Sequence, residues 1–483
     1  MFKRYRNILF ITLILILFST SLICAAQKIE KDIIVYSAEP EGVTSAVAAA
    51  REGKSVLLVM TEKEPGGLMT YGALNFLDLN YDKNSNNINH GIFSEWHQKV
   101  GGKVSFSPQK AKKVFWEMLN AEDNIEIINS AELKGLKLNN NEINYLKIKA
   151  ENKSYRLTAD YYIDASQDGD LAAAAEENYF IGTADINLKN HWMASTQILR
   201  FSNVEPQKLK KAVKNNRYSS SYFRDNHAWG FSELGKAYQS SNPSMRMRGL
   251  NIVFIENSEN DKYDAYINSL LLFGVNPLEQ KSINTAKKEA KKEAELVLKY
   301  LRKNLAGFKN AELAEMPPEL YRRESRHFLT HYQLGIKDQF RQKVFKDAVT
   351  IASYPLDYQA SALDYPGFVL FNPEYYTIPL RSLIAYENKN LMIVGRSSGY
   401  SSLAAASARV LPVGMNTAEA AAIAASEAIN KDKDLLEIAN DQKSIKKIRE
   451  HLNLNLDRYP SESPVINNNE ILLKYKLQIS NKL

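Results

Sequence analysis

Residues 32 to 60, DIIVYSAEPEGVTSAVAAAREGKSVLLVM, constrain this chain more than any other stretch. A short apolar run enters a tight loop, an alanine-rich segment follows, and KSVLLV supplies a second apolar run. That order predicts strand, turn, helix and strand, the opening of an α/β layer. Loops that cradle a dinucleotide here read G-x-G-x-x-G. The first glycine makes the turn, the second lets backbone approach the pyrophosphate, and the third lets helix and strand pack closely. In this chain Ser37 and Glu39 take the first two places, and only Gly42 remains. Ser37 and Ala38 are small enough for the turn, and Ala46, Ala48, Ala49 and Ala50 keep the helix thin. The carboxylates of Glu39 and Glu41 oppose a diphosphate. At about 6 Å each repulsion costs on the order of 3 kcal/mol at an effective dielectric near 20. A helix N-terminus returns only roughly 0.3–1 kcal/mol per charge. A dinucleotide is therefore expected only if both side chains turn outward. The acid that should end the second strand and hold the ribose is replaced by Met60. Glu62, two residues late, is either its substitute or a surface glutamate.

The N-terminus bears on compartment. MFKRYRN is basic, Ile8 to Ile23 is apolar, and CAAQ supplies small residues, the layout of a secretory signal peptide spanning residues 1–26. Cleavage after Ala26 would export the protein to the periplasm or beyond. The alternative is an uncleaved anchor, since the apolar run approaches the roughly 17 residues a span needs. Cys24 is the one cysteine. A mature chain without it has no disulfide, thiol nucleophile or cysteine-ligated iron–sulfur cluster. Losing Lys3, Arg4 and Arg6 lowers the net charge from +7 to +4. No concentrated basic stripe points to nucleic acid. KKEAKKEAELVLKYLRKNL is cationic, but Ala290, Ala294, Val297 and Leu301 recur at helical spacing, which predicts a solvated amphipathic helix.

Further along, NEINYLKIKA and KSYRLTADYYIDAS alternate apolar and polar residues and predict a strand meander. Residues 186–370 change texture, rich in Tyr, Arg and Asn; an alanine-rich helix is predicted from Asn416 to Asn430. The expected organisation is a discontinuous nucleotide-binding layer (27–185 and 371–440), an inserted mixed α+β substrate or cap domain (186–370), and a polar helical tail (441–483).

Three stretches make the reading specific: EPGGLMTYGALNFLD, YYIDASQDGDLAAAA, and LMIVGRSSGYSSLAAASARVLPVGMNTAEAAAIAA, with IPLRSL and YRRESR between. Together and in this order they resemble a family of FAD-dependent oxidoreductases with a Rossmann-like, two-dinucleotide-binding-domain-like fold. The resemblance runs from Asp32 to about Ile429. It implies non-covalent FAD. The cofactor contacts it implies fall on Ser37, Ala38, Glu39, Gly42 and Glu62, then Gly66, Gly67, Leu68, Met69 and Thr70. The second set is Asp164, Ala165, Asp168 and Gly169, followed by Gly395, Arg396, Arg409, Val413, Gly414 and Met415. The helix starting near Pro412 would aim its positive N-terminus at the flavin pyrimidine edge. Gln167 stands where the family has glycine, and Glu419 where it usually has glutamine.

LYRRESRHFLTHYQL is the most chemically loaded stretch of the inserted segment. If extended, Arg322, Glu324 and Arg326 share one face, and Arg323, Ser325 and His327 the other. Arg323 and Arg326 match the family's R-E-x-R pattern and would hold a carboxylate or hydroxyl-rich substrate; structural Arg–Glu bridges explain the same residues. His327 and His331 are an acid/base pair, metal ligands or packing histidines. No acidic third ligand accompanies them at telling spacing, so no metal site is expected. Arg323, Arg326 and His327 are the candidate catalytic residues. The leading expectation is an exported flavoprotein passing a hydride between a small organic substrate and flavin N5, with an external electron acceptor. The alternatives are a fold relative that has lost FAD and binds carbohydrate or another polar ligand, and flavin-independent polysaccharide lysis.

Overall fold

The structure is a computed structural model that describes residues 26–257, 262–363 and 367–460. The signal-peptide residues 1–25 and the end of the expected tail, 461–483, lie outside the described residues. Strand β1 (Gln27–Tyr36) turns into helix α1 (Pro40–Arg51) and then into β2 (Val56–Val59), as the opening stretch predicts. β1 pairs in parallel with β2, placing Tyr36 opposite Val59, and on its other side with β6 (Lys153–Asp164), placing Tyr36 opposite Asp164. β3 (Ile125–Ile128) extends the parallel sheet beyond β2, and Leu391–Ile393 joins along the end of β6. β4 (Ala131–Asn139) and β5 (Glu142–Ala150) form the predicted antiparallel meander into β6. The order is β3-β2-β1-β6-β5-β4, a Rossmann-like parallel sheet carrying a meander. VLLV of β2 is buried throughout, as a strand covered on both faces must be.

A second, antiparallel sheet runs in the order Glu312–Leu313, Ser195–Val204, Lys262–Leu272, Leu250–Asn257, His227–Gly230, Ser221–Arg224, with Met245–Met247 also paired to Lys262–Leu272. Helix α2 (Gln280–Asn304) covers it, burying Ala290, Ala294, Val297 and Leu301 while its lysines face water. This is the amphipathic helix the spacing predicts. The second core draws on Leu199 through Leu320. From Leu334 onward the chain packs into the first core, where Ala348–Ala352 pairs with Tyr376–Pro379. Composition alone assigned that stretch to the insertion.

Helix α3 (Leu411–Lys431) is buried from Leu411 to Ala428 and lies against α1, with Ser45 Oγ donating to the Ala418 carbonyl at 3.1 Å. Alanine on both helices permits this approach. Glu419 accepts the Ile92 amide at 2.8 Å, its carboxylate in the hollow left by Gly91. Among the described residues no helix is long and apolar enough to cross a membrane.

Candidate functional site

The turn after β1 keeps its shape without its first glycine. Ser37 takes the left-handed φ of +79°, and its amide donates to the Val59 carbonyl at 2.8 Å. Gly42 keeps the close-packing role, since a Cβ there would lie 1.9 Å from the Ser37 carbonyl oxygen and 3.3 Å from Ala165 Cβ. Glu39 stands at the N-cap of α1 but does not cap it. Its carboxylate turns inward and accepts from the Leu68 amide at 2.9 Å and from Gln167 Nε2 at 3.0 Å. It fills the hollow of Gly67, where a Cβ would lie 1.9 Å from Oε2. Glu41 also turns inward. Its Oε1 lies 2.3 Å from where a Gly414 Cβ would stand and 3.3 Å from that of Gly395, and its Oε2 is buried without a partner. Gly414, in the first turn of α3 between buried Val413 and Met415, therefore abuts a carboxyl of this chain.

Burial pushes Glu39 upward against the pull of the Leu68 amide, Gln167, Arg396 and Arg322. Burial and then the charge of Glu39 raise Glu41 to about 8. Glu319, which sequence reasoning did not single out, rises to about 8 through burial and the same neighbour.

The turn after β6 is built differently. Buried Asp164 accepts the Ser166 amide at 2.9 Å, the Ser166 hydroxyl at 2.6 Å and the Ala172 amide at 2.8 Å, fixing the turn after β6. Asp168 is held by Arg322 and Arg396, and by the Ser325 hydroxyl at 2.6 Å. Burial opposes its ionisation, but Arg322 and Arg396 hold its carboxyl below the usual range. Arg396 also donates from Nε to the Gln167 carbonyl at 2.7 Å. Gly169 has φ +63°, and a Cβ would strike the Phe328 ring at 2.1 Å. Thr70 bonds the Pro65 carbonyl at 3.0 Å, Met69 is fully buried, and Gly66 packs on Phe115. Glu62 is exposed in the loop beyond β2.

The candidate catalytic residues do not converge. Arg323, 2% exposed, donates from Nη1 to the Ala194 carbonyl at 2.6 Å and Thr196 Oγ1 at 2.8 Å, with its guanidinium 4.3 Å from the Tyr321 ring centre. Arg326 points elsewhere, to the Asp168 carbonyl at 2.8 Å and Asp170 at 2.9 Å. His327 is buried, stacked on Phe180 with centres 5.0 Å apart, and 3.5 Å from Glu324 Oε2. The expected alternation fails because regular strand begins only at Arg326; Arg322 and Ser325 both reach Asp168, and Glu324 accepts the Met193 amide. Arg323 instead joins Arg409, whose Nη1 donates to Tyr321 OH at 2.7 Å, and Asp78, at the end of the quoted EPGGLMTYGALNFLD, along one small cavity. Arg248, Tyr354 and Asp357 complete the surroundings, and no short motif marks them.

That cavity, also lined by Glu41 and Arg396, measures about 20 Å³, room for a water, whereas small-molecule sites run roughly 300–1,000 Å³. The glycine frame at residues 42, 67, 395 and 414 suits a dinucleotide, but with Glu39 and Glu41 lying in it the residues as placed do not fit FAD.

A family model described as FAD dependent oxidoreductase matches residues 32–452. Solved structures that the chain matches include a geranylgeranyl bacteriochlorophyll reductase-like protein from Thermoplasma acidophilum, 13% identical over 94% of this chain and 88% of that one, TM-score 0.43. The myxobacterial chondrochloren halogenase CndH, described as a FAD-dependent halogenase, is 11% identical over 94% and 90%, TM-score 0.43. p-Nitrophenol 4-monooxygenase from Pseudomonas putida is 10% identical over 94% and 89%, TM-score 0.37. No curated sequence matches the chain. The family model spans the phosphate loop, the GG-M-T segment, the Asp164–Gly169 turn and the alanine helix, and the cofactor of that family is FAD. The chain belongs to the FAD-dependent oxidoreductases.

Proposed function

We propose that this protein is an exported oxidoreductase of that family, acting on a small organic substrate where the two layers meet, with FAD entering only when Glu39 and Glu41 leave the cradle. With both acids out of the cradle, FAD would supply the redox chemistry and an external acceptor would take the electrons. Gly42, Gly67, Gly395 and Gly414, with the Leu68 amide, are the chain's own contribution to holding it, and Arg323 with Arg409 is its contribution to the substrate side. The nucleotide-binding layer would comprise 27–185 and 371–440, and the inserted segment 186–370, whose last part from Leu334 packs in the first core. The observation that carries the reading is the retained glycine frame: a Cβ at Gly42 would strike the Ser37 carbonyl, and Cβ atoms at Gly67 and Gly414 would enter the space that Glu39 and Glu41 now take.

A second reading, a fold relative that has lost FAD and binds a polar ligand, is favoured by the inward carboxylates and the 20 Å³ cavity. Absorbance of the purified mature chain separates the two. A yellow protein, or one that becomes yellow and retains flavin through gel filtration after incubation with FAD, supports the oxidoreductase. Protein that stays colourless in excess FAD is the binding protein.

A further inference from the structure

A wider cleft lies where the second sheet meets the first layer, and it shares no lining residue with the small cavity beside Glu41. It measures about 350 Å³, inside the roughly 300–1,000 Å³ of small-molecule sites. Strand alternation builds one wall. Leu199, Phe201, Ala265 and Ile267 turn into the second core, which leaves Arg200 and Tyr266, directly opposite each other on paired strands, on the face toward the first. The facing wall is Tyr71 and Ala73, just after the paired glycines, with Gln109 and Lys112 from the start of the helix Pro108–Asn120. Arg200 is already matched, since its Nε and Nη2 donate to Asp264 Oδ2 at 2.9 and 2.6 Å. That leaves Lys112 against Glu64 and Glu315. The side chains of Lys112 and Glu315 hold no hydrogen bond or ion pair among the described residues. Glu64 Oε2 accepts Trp116 Nε1 at 2.7 Å, and the Tyr71 hydroxyl accepts the Glu64 amide at 3.1 Å, which leaves its own proton to donate.

We propose that this cleft binds a neutral, hydroxyl-rich ring, a sugar residue. An anion would meet Glu64 and Glu315, and a cation would meet Lys112 and Arg200. A wholly apolar ligand would strip water from these charged groups and return no hydrogen bond. Neighbouring sugar hydroxyls donate and accept together, which suits a carboxylate, an ammonium, the Gln109 amide and a phenol set around one space. The C–H face of the ring has the two tyrosines and Pro317 to pack on. The site lies outside the glycine frame, so it goes beyond both functional readings above and stands with either.

The test is calorimetry and thermal melting of the full mature chain with glucose, galactose, N-acetylglucosamine and cellobiose, with flavin content measured by absorbance beforehand. At least one sugar is expected to bind with one site per chain and raise the melting temperature. Its affinity should hold from about 50 to about 500 mM sodium chloride, a range over which screening weakens an ionic contact. Tyr71→Ala removes a ring and is expected to weaken that binding about tenfold or more. Glu315→Ala, at an exposed side chain, is expected to weaken it about fivefold, and it decides the matter if circular dichroism shows Tyr71→Ala unfolded. Binding by none of the four sugars, tighter binding of putrescine or succinate than of every sugar, or unchanged binding in Glu315→Ala overturns the proposal. Colourless protein that binds a sugar removes the redox reading and leaves this site standing; yellow protein that binds none does the reverse.

Discussion

Two turns of one sheet, both next to β1, bury carboxylates and treat them in opposite ways. At the Asp164–Gly169 turn, Asp168 meets two guanidinium groups and a hydroxyl and stays ionised. At the Ser37–Gly42 turn, Glu41 meets a glycine hollow and a second acid, and its carboxyl rises to about 8. Burial is common to both, so burial does not decide the charge. What decides is whether donors were brought in with the acid. The bridged acid ties Arg322 and Arg396 to the turn after β6; Glu39 and Glu41 instead fill the hollows of Gly67 and Gly414.

The contrast can be broken most sharply at its paired end. Asp168→Ala leaves Arg322 and Arg396 buried without their shared counter-charge and is expected to cost about 3–5 kcal/mol in urea unfolding. A loss under about 1 kcal/mol would mean the bridge does not brace the layers. At the unpaired end, Glu39→Gly with Glu41→Ala restores the second glycine and empties the cradle. FAD affinity by fluorescence titration should then rise on the order of 100-fold, and an unchanged affinity would remove the two acids as the barrier.

A pH series tests the same acids without a ligand. The folded value of Glu41, about 8, lies above its ordinary value of 4.5, so the folded chain holds this proton longer than the unfolded one. Its contribution to stability is full below about 4.5 and is lost as pH rises toward 8. Glu41→Gln, permanently neutral, should be more stable than the parent by roughly 4 kcal/mol at pH 8 and nearly equal to it at pH 4.5. Equal slopes would show that Glu41 is not the titrating group. The smallest effect is expected at Arg326, whose partner Asp170 is half in solvent. Arg326→Ala should shift stability by less than about 1 kcal/mol, and a larger loss would make it a brace like Arg322.

Much of the architecture was legible. DIIVY and KSVLLV are apolar runs of strand length around an alanine helix, and the meander and α2 follow from periods of two and 3.6. The motif order around Gly66, Asp164 and Gly414 pointed to the family that the match over 32–452 identifies. The loop showed that Glu39 and Glu41 stand in the wrong place for a diphosphate. It did not show that they turn in, because their partners, Leu68, Gln167 and Gly414, lie in other segments. Arg323 and Arg326, three residues apart, looked equivalent on paper. One is buried against Ala194 and Thr196; the other reaches the Asp168 carbonyl and Asp170.

The sequence by itself determined the layers and their order, because hydrophobic period, small residues at helix contacts and turn chemistry act over a few neighbouring positions. Only the tertiary structure decided which acids fill glycine hollows and which become bridges, and which arginines share a carboxylate. Those outcomes depend on distances of a few ångströms between residues that are tens to hundreds of positions apart, where electrostatic energy changes steeply and local pattern carries no information.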